Sequence, residues 1–513
     1  MGFDFTLFNR EEVAGRRRLD EDFVAYLVNE QSLEVVVHYE KLWSYYRNEL
    51  CGMGLADVGN GQVSETARLY RQQQEYGLPS RITGVNYSFY EGILSGSRAD
   101  GIQRKEVVIE NDIAWRIDTM VDFLFGKGIT IVSRASQEKR AQEIQRILNA
   151  VLDANGGATY LQQLALLGST YGFVDVILRW SDGKEREKFE GGTAGAGPRS
   201  FDEVLNRARK IMLEALEAPR CLPILEENNY HRMKFYIQHY WQRHNELERK
   251  GDFIQTVNHR GKQVSRQKES HNVEVIGADY WQRYQDEELV AVGRNLLGVI
   301  PVVHIQNMPL PSHYEGQSDV APLIPLQDEL NTRLSDRASR ITFQSFKMYL
   351  GKGIEGFENR VVAPGRMWST ENPEACIEEF GGDPGSPSEE VHIEHVREAL
   401  DKASGVASVA AGILKGRIGN LTSAVALKVT LMGVLAKTER KRRCYGQGIK
   451  ELCRLILLAL DRMGVYPNSD EEREVDIHWP SPLPENVMEK LQEQVLKKEL
   501  GIPQEQILKE LGY

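Results

Sequence analysis

A long helical pattern runs from Ser423 to Met463, and a glycine-punctuated segment leads into it: Gly405-Val-Ala-Ser-Val-Ala-Ala-Gly-Ile-Leu-Lys-Gly-Arg-Ile-Gly-Asn420. Continuous at the standard rise, such a helix is about 60 Å long. Val425, Val429, Met432 and Leu435 recur at helical spacing and predict a core or subunit-contact stripe. The glycines relax the limits on φ and make the segment deformable, while the helix behind it is a fixed anchor. A mobile loop carrying Lys415, Arg417 and Asn420 suits a device that touches a moving polyanion better than it suits a catalytic pocket.

The 513 residues are enough for several domains and a sizeable core. A net charge of −11 argues against a surface coated in basic residues for tight nucleic-acid binding. It leaves room for a surface past which DNA slides, where strong attraction is a brake. Cys51, Cys221, Cys376, Cys444 and Cys453 are odd in number and scattered, the pattern of reduced thiols rather than a zinc site or disulfide framework. The opening Met-Gly-Phe-Asp-Phe-Thr lacks the basic-then-apolar pattern of a signal peptide. The most apolar run, Leu452 to Leu460, contains Arg454 and is too short to span a bilayer.

Residues 1–100 read as polar helices with aromatic punctuation, including a solvated helix over Ser64–Tyr76 and a turn around Tyr87–Gly96. Asn111 is placed to cap a helix whose stripe is Ile113, Ile117, Met120, Val121 and Leu124; Gly126 and Gly128 stop it, and a strand starts at Ile129–Val132. Helices are expected over Gln137–Asn155, Tyr160–Thr170 and Phe201–Ala218, with a strand at Phe173–Trp180. Residues 181–200 read as a flexible loop. Met233–Trp241 and Val273–Tyr284 alternate apolar with polar residues, as antiparallel strands with one wet face do. Asp252–Ser270 is a polar excursion between them, and Leu296–Ile305 a further strand.

A helix at Pro322–Lys347 and an acidic one at Ser388–Ala403 bracket a Gly- and Pro-rich module with short β-like pieces at Arg360–Ala363 and Cys376–Phe380. Paired antiparallel, they make a two-helix stalk with the module at its tip and the 405–422 loop at its other end. After the long helix come a Pro-rich strand at His478–Pro484 and helices to Tyr513.

The chemistry these residues offer is sparse. Lys415 and Arg417 fit backbone-phosphate contact, which needs no base readout, or are incidental charges on a surface loop. Lys437, Arg440 and Lys441 share one face of the long helix and fit a solvated face, intersubunit salt bridges or DNA contact. Arg333, Arg337 and Arg340 on the first stalk helix oppose Glu389, Glu390, Glu394 and Glu398 on the second. That arrangement suits ion pairs between neighbouring stalks or ordinary surface charge. His392 and His395 sit a turn apart with no further ligands at a recognised spacing, so no metal is expected. Gly191–Gly197, Gly126-Lys-Gly and Gly351-Lys-Gly lack the ending of a phosphate loop, and neither a zinc-protease nor a nucleophile-elbow motif occurs.

Three stretches together resemble the portal proteins of tailed bacteriophages. The first runs from Asn111-Asp-Ile to Phe125-Gly-Lys-Gly-Ile-Thr, although Ile129 stands where that family has Pro. The second spans Ile300-Pro-Val-Val-His-Ile-Gln-Asn307, Pro325-Leu-Gln-Asp-Glu-Leu-Asn331 and Ser335-Asp. The third is Ser423-Ala-Val-Ala-Leu427 with the basic helix behind it, where Ala424 replaces the usual Gly. Order and spacing carry the likeness, which covers roughly Asn111 to Tyr513.

The resemblance implies an α+β portal fold with clip, stem, wing and crown regions and long helices lining a central channel. Residues 1–100 would be a peripheral helical part of the wing, 101–320 the wing, 321–349 and 389–404 stem helices, and 350–388 the clip. Residues 405–422 would be the tunnel loop, 423–464 the long wing helix and 465–513 the crown. It further implies a dodecameric ring at one capsid vertex that conducts double-stranded DNA, assembled in the host cytoplasm and retained in the virion. Its partners would be the terminase large subunit, a head–tail adaptor and the major capsid protein, with no cofactor, no membrane and no enzymatic activity. Lacking a phosphate loop, such a protein needs another to hydrolyse ATP. The rival readings are a nucleic-acid-processing enzyme, nuclease or motor, and a membrane-peripheral scaffold using the basic helix.

Overall fold

The computed structural model describes residues 8–9, 21–28, 32–48, 108–180, 198, 200–226, 229–245, 267–345, 348–352, 373–374, 376–380, 387–411, 430–483 and 497. The helices at Ser64–Tyr76 and after 484, the turn near Tyr87, the 181–197 and 252–266 segments, the piece at Arg360–Ala363 and residues 412–429 lie outside them, Lys497 aside.

The chain divides into two units. Unit 1 takes residues 1–40, 117–318 and 428–513, and unit 2 takes 41–116 and 319–427. In chain order the elements are β1 (Phe8–Asn9), α1 (Glu21–Tyr26), α2 (Ser32–Arg47), α3 (Asp112–Phe125), β2 (Thr130–Ser133), α4 (Glu138–Ala154), α5 (Ala158–Tyr171) and β3 (Phe173–Trp180). There follow α6 (Phe201–Ala208), β4 (Ile211–Leu216), β5 (Cys221–Glu226), β6 (Asn229–Asn245), β7 (Gln267–Ile276), β8 (Tyr280–Gln285), β9 (Glu288–Asn295) and β10 (Val302–Gln306). The last are α7 (Ile324–Ser345), β11 (Met348–Lys352), β12 (Cys376–Phe380), α8 (Pro387–Ser404), α9 (Met432–Arg462) and β13 (Val475–His478). The mixture of helices with mainly antiparallel sheets agrees with the α+β expectation.

Unit 1 holds a six-stranded antiparallel sheet, β1-β9-β8-β7-β6-β5, a three-stranded sheet, β10-β3-β4, and the pair β13-β2. β3 is buried at every residue, because β10 and β4 flank it and α5 and α9 pack beside it. Such close packing needs small residues. A Cβ at Gly448 of α9 would run into the Ile305 side chain of β10, so glycine is what lets helix and sheet touch. Gly172, with φ +98, ends α5 and turns the chain directly into β3.

Several sequence expectations are corrected here. The helix expected over Phe201–Ala218 stops at Ala208, and Ile211–Leu216 pairs with β3 instead. Its residues suit a helix, but the open edge of β3 supplies hydrogen bonds and a buried face that outweigh propensity. Val273–Tyr284 is two strands, because Gly277 begins a turn closed by its N–H donating to Tyr280 O at 2.8 Å. The strand expected from Leu296 starts only at Val302.

The expected wet face of β6 and β7 is a buried polar layer. Tyr236 and Gln238 are fully buried and Glu274 nearly so. Arg179 of β3, itself 2% exposed, donates to Glu214 Oε2 at 2.6 Å, Gln238 Oε1 at 2.6 Å and Glu274 Oε2 at 3.0 Å. Tyr236 donates to the Asp175 carboxylate at 2.9 Å. The other face carries Ile237, Val273 and Val275, which pack on Val24 and Val28.

In unit 2, α7 and α8 lie side by side. β11 and β12 form an antiparallel ladder from Met348↔Phe380 to Lys352↔Cys376, so the chain leaves α7 and re-enters α8 at the same end. The two helices therefore run in opposite directions, and Leu330, Leu334, Ile393, Val396 and Leu400 are buried. This is the hairpin anticipated from element order.

Candidate nucleic-acid interface

Two segments bear on nucleic-acid contact: the basic loop that follows α8, and the basic helix α9. The loop's departure point is well defined. α8 ends at Ser404, and Gly405 follows at φ +69, a conformation glycine adopts without strain. Gly405 N–H donates to Asp401 O at 3.0 Å, and Val406 N–H donates to Ser404 Oγ at 3.1 Å. A 3₁₀ turn, Ser408–Ala411, comes next. Lys415, Arg417 and Asn420 lie outside the described residues.

A charge clamp holds this base. Arg116 of α3 is 2% exposed; its guanidinium donates to Asp401 Oδ1 at 2.6 Å and to Asp112 O at 2.6 Å. The Asp112 carboxylate lies 3.2 Å away, and the Trp115 ring sits 4.2 Å from the same guanidinium. One turn earlier on α8, Arg397 donates to Glu110 Oε2 at 2.6 Å. An aspartate in the last turn of a helix opposes the helix dipole, and Arg116 compensates it. Arg116 falls among the apolar residues of α3, a lone arginine on an inward stripe, and that was the available signal. Its partner is far away in sequence, and nothing local marks it. Asn111 caps α3 as expected, accepting from Ala114 N–H at 3.0 Å.

Within one subunit, Arg333 donates to Glu329 Oε1 at 2.8 Å and Asp336 Oδ2 at 3.3 Å, both on its own helix. Between α7 and α8, His392 Nε2 lies 3.1 Å from Glu329 Oε1. Burial pushes the Glu329 carboxyl up, but the Arg333 and His392 hydrogen bonds outweigh it and hold the group below its usual range. Within the subunit, among the described residues, Arg337, Glu390, Glu394 and Glu398 form no ion pair, while the Arg340 side chain lies outside them. His392 is turned to Glu329, and no group of three or more His, Cys, Asp or Glu among the described residues could hold a metal ion.

The basic helix differs most from expectation. Thr430 is helical but Leu431 is a turn, so the pattern read as one helix breaks there and α9 begins at Met432. Lys437, Arg440 and Lys441 do not share a solvated face. Lys437 is 6% exposed and Lys441 1%, while Arg440 is exposed. Lys441 donates to Ser169 Oγ at 2.6 Å, deep between α9 and α5. Beside it Tyr445 donates to Asn307 Oδ1 at 3.2 Å, and Asn307 N–H donates to Gly172 O at 2.8 Å. The ammonium thus serves a buried polar seam, which a long apolar stem can reach. The exposed cations of the block are Arg440 and Arg443, and Glu439 is exposed beside them.

A model of the family described as "Phage portal protein, SPP1 Gp6-like" matches residues 108–512. The chain belongs to that portal family. The match takes in α3 with its clamp, the three-stranded sheet, the six-stranded sheet apart from β1, the α7–α8 hairpin, the segment that carries Lys415 and Arg417, and α9. A chain of the solved structure titled "Virion of native gene transfer agent (GTA) particle" is similar at 11% identity and a TM-score of 0.41, over 76% of this chain and 85% of that one. A search of curated proteins finds no match. As a phage portal protein the molecule is a virion component, and its family is structural rather than enzymatic. No described helix is long and apolar enough to cross a membrane. The described cysteines, Cys221, Cys376, Cys444 and Cys453, form no disulfide with one another, and burial pushes the Cys453 thiol up to about 12.

Proposed function

We propose that this portal protein closes into a dodecameric ring at one capsid vertex and conducts double-stranded DNA through its centre during packaging and ejection. The portal-family match over residues 108–512 carries the reading. In it, 350–388 is the clip that docks the terminase large subunit and later the head–tail adaptor, α7 and α8 form the stem, and 405–422 is the tunnel loop. Residues 101–320 with 423–464 form the wing, 465–513 the crown, and the rim meets the major capsid protein. The clamped end of α8 supports the loop assignment, because a deformable segment transmits or senses force only from a fixed base. Contact through Lys415 and Arg417 is with phosphates, so it is independent of sequence and weakened by salt. ATP hydrolysis falls to a separate motor.

The test has two parts. Negative-stain images of the purified protein should show rings with a central hole; a stable monomer at every concentration and salt refutes the ring. Capsids assembled with Lys415→Ala/Arg417→Ala protein should contain normal rings yet package or retain less DNA, whatever the DNA's sequence. Equal packaging and retention refutes the loop contact.

A further inference from the structure

α1 lies on the face of the six-stranded sheet that carries Ile237, Val273 and Val275, with Val24 and Val28 buried against them. Six residues do not hold a helix in water by themselves, so packing on the sheet holds α1. That packing is incomplete. A cavity of about 40 Å³ remains in the seam, lined by Val24, Ala25 and Val28 on the α1 side and by His271, Tyr284 and Glu287 on the sheet side. It is large enough to admit water beside the His271 ring.

Two histidines stand at this seam. β6 pairs Trp241 with His271 of β7 and His239 with Val273, so His239 and His271 are diagonal neighbours on one face of the sheet. Their rings are 5.8 Å apart and nearly perpendicular, and Trp241 stacks on His271 at 4.5 Å. His239 is 9% exposed. The Nε2 atoms of both histidines are buried, and neither has a hydrogen-bond partner among the described residues. An unpartnered polar atom away from water is costly, and a charge placed there costs more. Burial therefore lowers the pKa of both rings. His271 and Arg220 lower that of His239 further, whereas Asp286 and Glu287, at the turn after β8, pull His271 the other way. On the α1 side, Val24, Ala25 and Val28 bring no charge to the cavity.

We infer that α1 is an acid-released strap: proton uptake by His271 and His239 draws water into the seam and lifts α1 from a sheet that stays folded. The closed seam holds both imidazoles neutral, and the open seam hydrates them. The open state thus binds more protons, and its population grows as pH falls below the ordinary histidine range. Asp286 and Glu287 stabilise the charge on His271 once water has entered. Release uncovers the apolar strip of Ile237, Val273 and Val275. The strap requires neither the ring nor the loop contact proposed above.

Hydrogen exchange of the purified full chain, read by mass spectrometry and corrected for the intrinsic pH dependence of exchange, tests it. With a pKa of about 4 in the closed seam and 6.5 in the open one, His239 alone should raise the open population about tenfold from about pH 7.5 to about pH 5.5. The amides of residues 24–28 should lose protection by that factor, while β3 keeps its own. Equal protection of α1 at both pH values overturns the strap. A parallel loss in β3 overturns it as well, because the whole sheet is then unfolding. The wild-type comparison therefore decides without a variant. His239→Phe with His271→Phe is the second measure: α1 exchange should become independent of pH with β3 unchanged. A tenfold rise that persists in that variant assigns the protons to other groups and overturns the inference.

Discussion

Removing Asp401 should loosen the base of the basic loop by an amount the clamp geometry sets. Asp401→Ala deletes the acceptor of a 2.6 Å hydrogen bond from a guanidinium that is only 2% exposed. Breaking a buried ion pair by removing one partner costs about 3–5 kcal/mol. Two features reduce that here. Asp112 remains 3.2 Å from Arg116, and the Asp401 side chain is 28% exposed, so water refills part of its place. The expected local cost is about 2 kcal/mol, in the range for hydrogen bonds to charged groups. At about 1.4 kcal/mol per tenfold, native-state hydrogen exchange at Gly405 and Val406 should accelerate about 30-fold, with the core of α9 unchanged. The partner variant Arg116→Met removes the buried charge, and in that background Asp401→Ala should cost under about 0.5 kcal/mol, because the two residues act as one unit. Unchanged exchange in Asp401→Ala, or additive effects of the two substitutions, would show that the clamp does not hold the loop's base.

Gly448→Ala should destabilise unit 1 by about 1–3 kcal/mol, the cost of overpacking, because the new methyl meets Ile305 and α9 must move off β10; an unchanged melting temperature would contradict that contact. His239 provides a pH signature. Burial, then His271 and Arg220, lower its pKa from 6.5 to about 4. In that window the unfolded chain binds more protons than the folded one, so stability falls as pH drops from 6.5 toward 4. His239→Phe should flatten this part of the profile by up to about 3 kcal/mol, and an identical acid profile in the variant would assign the pH dependence elsewhere.

The sequence by itself determined the elements whose apolar residues lie close together along the chain. The α3 stripe with its Asn111 cap, α4, α5, the buried strand β3 and the α7–β12–α8 order were legible, because helix period, caps and glycine stops act over a few residues, whereas β11 at Met348–Lys352 was not. So was the portal resemblance, which rests on that order rather than on any one motif. Tertiary structure decided what depends on distant partners. Ile211–Leu216 became a strand because β3 offered it an edge. The alternating polar residues of β6 and β7 became a buried layer because Arg179 comes from another strand to neutralise them; alternation fixes which face a residue takes, not what covers that face. Lys441 lies in a basic run that reads as solvated surface, yet Ser169, far away in sequence, receives its ammonium. Arg116 and Asp401 likewise become a clamp only when α3 and α8 meet. A charge in the sequence has a sign and a helical phase, and its energy depends on the dielectric and the partner that folding brings to it.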